Sequence, residues 1–181
     1  MPLPVAHGLL GASVAAALQP PSEPRYWRTL WISVLLGICP DFDYALNWLG
    51  ISGGGWHHGF THSFLFALSL GLLTALVLRE FKISSVILFC SATASHTLLD
   101  YLMTESRGVA LWWPLTDRRY KLRLPNPIDY TWDDTTVSGM VIDLLRISLI
   151  ELMIFGSIFL AVILIKRTLS KPAFLSGGTR Q

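Results

Sequence analysis

Five apolar stretches, at approximately 4–18, 30–49, 64–78, 83–103 and 141–165, are joined by mostly short polar connections in a chain of 181 residues. That alternation leaves few choices of fold. A bilayer span needs about 20 mostly apolar residues. Inside lipid each segment must also satisfy its own backbone donors and acceptors, which favours helices. Composition agrees. Hydrophobic residues make up 52% and charged residues 14%, against about 25% charged in a typical soluble domain, so a soluble fold would have to bury nearly the whole chain. The expected class is all-α, a polytopic membrane bundle of about five hydrophobic helices with a long outer loop. The first and third stretches are short, and are expected to tilt or to insert only in part. Pro40 interrupts the second, because proline lacks a backbone donor and clashes with the preceding turn, so a kink or a new half-helix is expected there.

Other classes are excluded on simple grounds. A net charge of +2 is too small to suggest a nucleic-acid binder, and the two cysteines, Cys39 and Cys90, form neither a disulfide framework nor a CxxC metal site. No repeat or soluble second domain is visible. Residues 1–168 read as one membrane domain that includes the outer loop 104–139, and 169–181 as a short polar cytoplasmic tail. The first stretch lacks the basic region of a cleavable signal peptide and is expected to stay in the mature fold.

Basic residues predict the orientation. Arg25 and Arg28, then Arg79 and Lys82, then Lys166, Arg167, Lys171 and Arg180 all fall on one side if five stretches span, whereas 51–60 carries no Lys or Arg. The positive-inside rule puts those basic clusters in the cytoplasm. Loop 104–139 falls outside and is the exception, with Arg107, Arg118, Arg119, Lys121 and Arg123 offset by Glu105, Asp117, Asp129, Asp133 and Asp134. Its aromatic residues, Trp112, Trp113, Tyr120, Tyr130 and Trp132, suit a folded interfacial lid.

The same topology brings His7, His57, His58, His62 and His96 toward the outer face, together with Asp41, Asp43 and Asp100. His96 and Asp100 are four residues apart and share a helical face. Ionisable groups within membrane segments are costly and are functional candidates by default. One histidine would more simply be a structural residue; four segments delivering His and Asp to one depth predict metal binding. Imidazole plus carboxylate without thiolate suits Zn²⁺ first, with Mn²⁺ and Fe²⁺ as alternatives, one to three ions in all. A metal-activated water there would serve hydrolysis.

These residues carry a resemblance. His7, Pro40-Asp41-Phe42-Asp43, His57-His58-Gly59-Phe60-Thr61-His62-Ser63, Ser95-His96-Thr97-Leu98-Leu99-Asp100 and the segment GVALWWPL at 108–115 resemble, in order, the motifs of the YdjM family of inner-membrane, predicted metal-dependent hydrolases. Where that family usually reads HRGxTHS, His58 replaces the arginine. The change removes a permanent cation or adds a ligand. The family in turn is similar to the zinc-dependent phospholipase C and P1 nuclease group, which implies phosphoester hydrolysis in an all-helical bundle.

The resulting expectation is a multi-pass inner-membrane hydrolase with its site facing outward, acting on a lipid or lipid-linked phosphoester. His7, Asp41, His57, His62, His96 and Asp100 are the expected ligands. Asp43, two residues from Asp41 and so on a different helical face, is either an orienter of a histidine or the general base. Trp112 and Trp113 are expected to help admit an amphiphile. The rival from another class is a non-catalytic metal-binding scaffold or regulatory protein. A transporter fits less well, because the inner halves of the stretches are almost purely apolar. Three features have blander readings: Asp143 and Arg146 as a structural ion pair, Ser52-Gly53-Gly54-Gly55 as a hinge, and Cys39 as a small core residue. Glu151 lies deeper in the fifth stretch, where a buried role is the alternative.

Overall fold

The computed structural model describes residues 2–44, 49–50, 57–104, 107–125, 128 and 136–170. These hold five α-helices: α1 (Pro4–Leu18), α2 (Tyr26–Ile38), α3 (Phe64–Val77), α4 (Ile83–Met103) and α5 (Val137–Leu169). Two 3-10 turns, Cys39–Phe42 and Phe60–His62, lie between α2 and α3. An isolated bridge pairs Val109 with Tyr120. The fold is all-helical, as expected.

Local chemistry sets the boundaries. Pro4 opens α1, where its missing N–H costs nothing. α2 stops at Ile38, two residues before Pro40, and the chain tightens into the first 3-10 turn, which is the break expected there. Ser63 caps α3 by accepting from the Phe66 N–H at 3.1 Å, and Thr136 caps α5 by accepting from the Gly139 N–H at 3.2 Å. The 21 residues of α4 and 33 of α5 rise about 31 and 50 Å, so both can cross a hydrocarbon core of about 30 Å. α1, α2 and α3 have 15, 13 and 14 residues and rise only about 20 to 23 Å.

α1 is the hub, packed against α2, α4 and α5, while α3 packs on α4. The α1–α2 crossing is close enough that a side chain at Gly37 would put its Cβ 2.4 Å from the His7 carbonyl oxygen. Such small-residue crossings bring membrane helices into backbone contact. Leu68, Leu72 and Leu76 of α3, Leu145, Leu149 and Leu160 of α5, and Trp27 and Trp31 of α2 face outward. An apolar exterior this broad is unusual for a soluble monomer and suits lipid. One end of the interior is apolar, around Ala15, Leu30, Leu88, Phe89 and Ala92. At the other end His7, His62, His96 and Asp100 are fully buried.

The described part of the long connection is folded, as expected of it. Val109, Ala110 and Leu111 are buried, and the N–H groups of Leu122 and Leu124 each donate at 2.8 Å to the carbonyls of Tyr101 and Leu102. Asp143 and Arg146 form the expected ion pair at 3.2 Å. The 52–55 hinge, Glu105, Asp129, Tyr130, Trp132, Asp133, Asp134, Lys171 and Arg180 lie outside the described residues.

Candidate metal centre

Four segments meet at the polar end. α1 brings His7, the first 3-10 turn and its continuation bring Asp41 and Asp43, the turn before α3 brings His57, His58 and His62, and α4 brings His96 and Asp100. The 57–58 turn is held by the connection after α4. Ala110 N–H donates to the His58 carbonyl at 3.0 Å, and Arg119 Nη1 donates to the carbonyls of His57 at 3.2 Å and Gly108 at 3.3 Å. His58 takes a left-handed backbone, φ +62°, a conformation His tolerates better than bulkier residues. Gly108, at φ +87°, lies so close to Tyr120 that an added Cβ would sit 2.8 Å from its carbonyl oxygen, so the position admits glycine alone without a backbone shift.

The donor atoms converge. Nε2 of His62 and Nε2 of His96 each lie 3.3 Å from Asp100 Oδ2 and 3.5 Å from Asp41 Oδ1. His7 Nε2 is 3.6 Å from Asp100 Oδ1, and His58 Nε2 is 3.5 Å from Asp100 Oδ2. These separations are longer than ordinary hydrogen bonds. Two tetrahedral ligands on bonds of 2.0–2.1 Å stand about 3.3 Å apart, which is the spacing observed. His7, His62 and His96 Nε2, Asp41 Oδ1 and both Asp100 oxygens are buried without a hydrogen-bond partner among the described residues. Such atoms are expensive to leave unsatisfied, and a shared cation satisfies all of them at once. The residues therefore fit a divalent ion.

Second partners fix the rings. The Gly37 carbonyl can only accept, so His96 Nδ1 carries the proton it donates there at 2.7 Å, and Nε2 keeps its lone pair. The Thr61 hydroxyl donates to Asp43 Oδ2 at 2.8 Å and accepts from His62 Nδ1 at 2.9 Å. His57 Nδ1 donates to Asp43 Oδ1 at 2.9 Å. In all three imidazoles Nδ1 is tied back and Nε2 is left for a ligand. Burial lowers the pKa of His58 to about 3 against the pull of Asp100, so its ring is neutral. At His62 burial also opposes charge, but the nearby carboxylates of Asp100 and Asp41 overcome it and raise the pKa to about 9. A proton on His62 is thus one answer to the charge of the two carboxylates, and a metal ion is another.

Every sequence-predicted site residue is in or beside this cluster. Asp41, His62, His96 and Asp100 form one set of donors within 4.8 Å of one another. His57 joins Asp41 and Asp43 in a second set, and His58 and His62 in a third, so the sets share members. His7 stacks on His96 with ring centroids 3.8 Å apart. Asp43 holds His57 and Thr61, which is the orienting arrangement. Sequence reasoning missed Thr61, although it lies within the quoted motif, and missed the Gly37 carbonyl and the Gly108–Arg119 cradle. A backbone carbonyl carries no signal of its own in a sequence.

Comparison with known proteins agrees with the resemblance. The family model described as YdjM inner membrane protein matches residues 1–171. The chain is 31% identical over 126 residues to the inner membrane protein YbcI of Escherichia coli (strain K12), an alignment covering 66% of this chain and 72% of the relative. No solved structure matches, so the further likeness to the zinc-dependent phospholipase C and P1 nuclease group has no fold match behind it. The chain belongs to the YdjM inner membrane protein family.

Proposed function

We propose that this member of the YdjM family is a metal-dependent hydrolase of a lipid or lipid-linked phosphoester. The observation that carries the reading is the convergence of buried, unsatisfied imidazole and carboxylate atoms from four segments at ligand spacing. When bound, a divalent ion, Zn²⁺ first and Mn²⁺ or Fe²⁺ next, supplies a nucleophile from water at neutral pH and stabilises charge developing on phosphoryl oxygens. His7, Asp41, His62, His96 and Asp100 would hold it, and His57, which groups with Asp41, would be a further ligand. Asp43 keeps His57 in one tautomer and stands beside the donors as the general base.

Access supports catalysis over a purely structural metal. Most of the donors are fully buried, but the Asp41 and His57 side chains are 11% and 15% exposed. Phe42 and Tyr44 are exposed at the same edge, and the Tyr44 ring packs 3.9 Å from that of His57. An apolar rim beside the open edge suits an amphiphile. Trp112 and Trp113 are exposed nearby and pack against Phe64 and Phe60. The burial of the inner donors is what favours the alternative, a non-catalytic metal-binding scaffold.

Orientation is part of the same reading. Arg25 and Arg28 pair with Glu80, and Lys166 donates to the Ala17 carbonyl, all at the end of the bundle opposite the His/Asp cluster. The positive-inside rule then turns the cluster outward. A reporter fused after Gln181 should be cytoplasmic, and Leu115→Cys should label from outside; the reverse pattern overturns the orientation.

The activity test uses metal-replete protein in detergent and in liposomes, with phospholipids, lipid pyrophosphates and a soluble chromogenic phosphodiester. Chelator-sensitive turnover favouring the lipid substrates is expected. Absence of metal-dependent turnover on all three classes would leave the scaffold.

A further inference from the structure

Glu151 is a fully buried carboxylate in the middle of the long, apolar α5. Ile147 and Phe155, four residues to either side and so on the same face, are buried in an apolar cluster with Ala6 and Leu99. A carboxylate in such a stripe is costly unless it is paired. Its partners are at the start of another helix: Oε1 accepts from the Leu3 N–H at 2.6 Å, and Oε2 accepts from the Ala6 N–H at 3.0 Å. α1 has no side-chain cap of its own, because Leu3 at the N-cap offers no acceptor. Glu151 supplies that cap from a helix about 150 residues away in sequence, with its charge against the positive end of the α1 dipole.

The residue after Ala6 is His7. From the first turn of α1 its ring reaches a fully buried place, stacked on His96 and 3.6 Å from Asp100. Among the described residues neither ring nitrogen of His7 has a hydrogen-bond partner, so nothing of that kind ties the ring down as Gly37 ties His96. Apart from burial and the stack on His96, what sets its position is the placement of its own backbone. We infer that Glu151 is a positioning residue: by clasping the Leu3 and Ala6 amides it fixes the first turn of α1 and so sets His7 in the donor cluster. The inference rests on the metal-site reading proposed above, and it adds that α5, which carries none of the donors, helps to determine the ligand geometry.

A double-mutant cycle on cobalt(II) binding, read as the dissociation constant and the visible absorption of the bound ion, tests it in the full-length protein. Loss of an outer-shell support costs 10–100-fold in metal affinity as a rule. Glu151→Gln, which keeps an acceptor but loses the charge, should therefore weaken cobalt binding about tenfold and change its spectrum. In the His7→Ala background the same substitution should do neither, because its route to the metal is gone. Equal loss in both backgrounds would mean a general structural role, and no loss in either would mean no role; each overturns the inference. If E151Q does not accumulate as folded protein, Leu3→Pro removes one clasped N–H from the other side and takes its place in the cycle, with the same outcomes. Failure of the wild-type protein to bind cobalt would instead overturn the metal-site reading, and this inference with it.

Discussion

Helix α4 changes character along its length. Toward Ile83 its buried side chains are Leu88, Phe89 and Ala92, and they pack with Ala15, Ala16 and Leu30 of α1 and α2. Toward Met103 they are Ser95, His96, Thr97, Leu99 and Asp100, and the neighbours are His7, His62 and Asp41. The first end is held as membrane helices usually are, by close packing of small and apolar groups. The second gives up such packing for polar atoms. Each buried polar group left without a partner costs about 1–3 kcal/mol, and several meet there. A shared cation would satisfy them together, so on the metal-site reading the second end should respond to metal and the first should not.

The largest expected contrast is within the polar end. Asp41→Asn should lose metal and activity together, since a neutral amide is a poor ligand. Asp43→Asn should keep most of the metal and lose about 10²–10⁴-fold in turnover, the usual contribution of a general base. Metal content and rate measured on the same preparations separate them, and parallel losses in both variants would make Asp43 a ligand and not the base.

Next in size is stability. Ligand at about 1,000 times its dissociation constant adds about 4 kcal/mol, so Zn²⁺ should raise the midpoint of thermal unfolding and chelation should reverse the rise. Phe89→Ala, at the apolar end, should lower the midpoint with and without Zn²⁺ and leave metal content unchanged. Loss of metal in F89A would show that the ends are not separable.

Loading should also depend on pH. His62 holds its proton up to about 9 through Asp100 and Asp41, and an incoming ion must expel it. Affinity should therefore fall as pH falls, roughly tenfold per unit from 8 to 6. A flat profile in a zinc titration would contradict the charge balance argued for His62. The smallest effect is steric: Gly37→Ala places a methyl against the His7 carbonyl and should weaken metal binding about tenfold, the lower end of the range for outer-shell changes.

How much of this was legible in the sequence differs between the same two ends. Three of the apolar helices could be read almost to the residue, 4–18 and 83–103 being α1 and α4 themselves and 64–78 ending one residue past α3, because a run of apolar residues in lipid has essentially one way to satisfy its backbone. α2 instead starts at Tyr26, four residues before the 30–49 stretch, and α5 runs four residues beyond 141–165 at each end. Pro40 announced its own break. The donors were legible because His and Asp are out of place in apolar stretches, and two of them, His96 and Asp100, share a helical face. His58 stayed open, since replacement of an arginine says what is gone and not where the new ring points; in the structure it faces Asp100. The supports were hidden. The Gly37 carbonyl, the Ala110 amide and the Leu3 amide act through backbone, which every residue has, and only the fold selects which of them meet a side chain. Glu151 was visible as an anomaly, but its partners lie about 150 residues away across a helix interface.

The claim that the His/Asp cluster is a metal centre is tested most directly by elemental analysis of the purified protein beside a His62→Ala/His96→Ala double variant. The account predicts at least one tightly held transition ion per chain in the wild type and its loss in the double variant, with helical content retained in both. Full metal occupancy in the double variant, or none in wild-type protein grown and purified with the ions supplied, would contradict it.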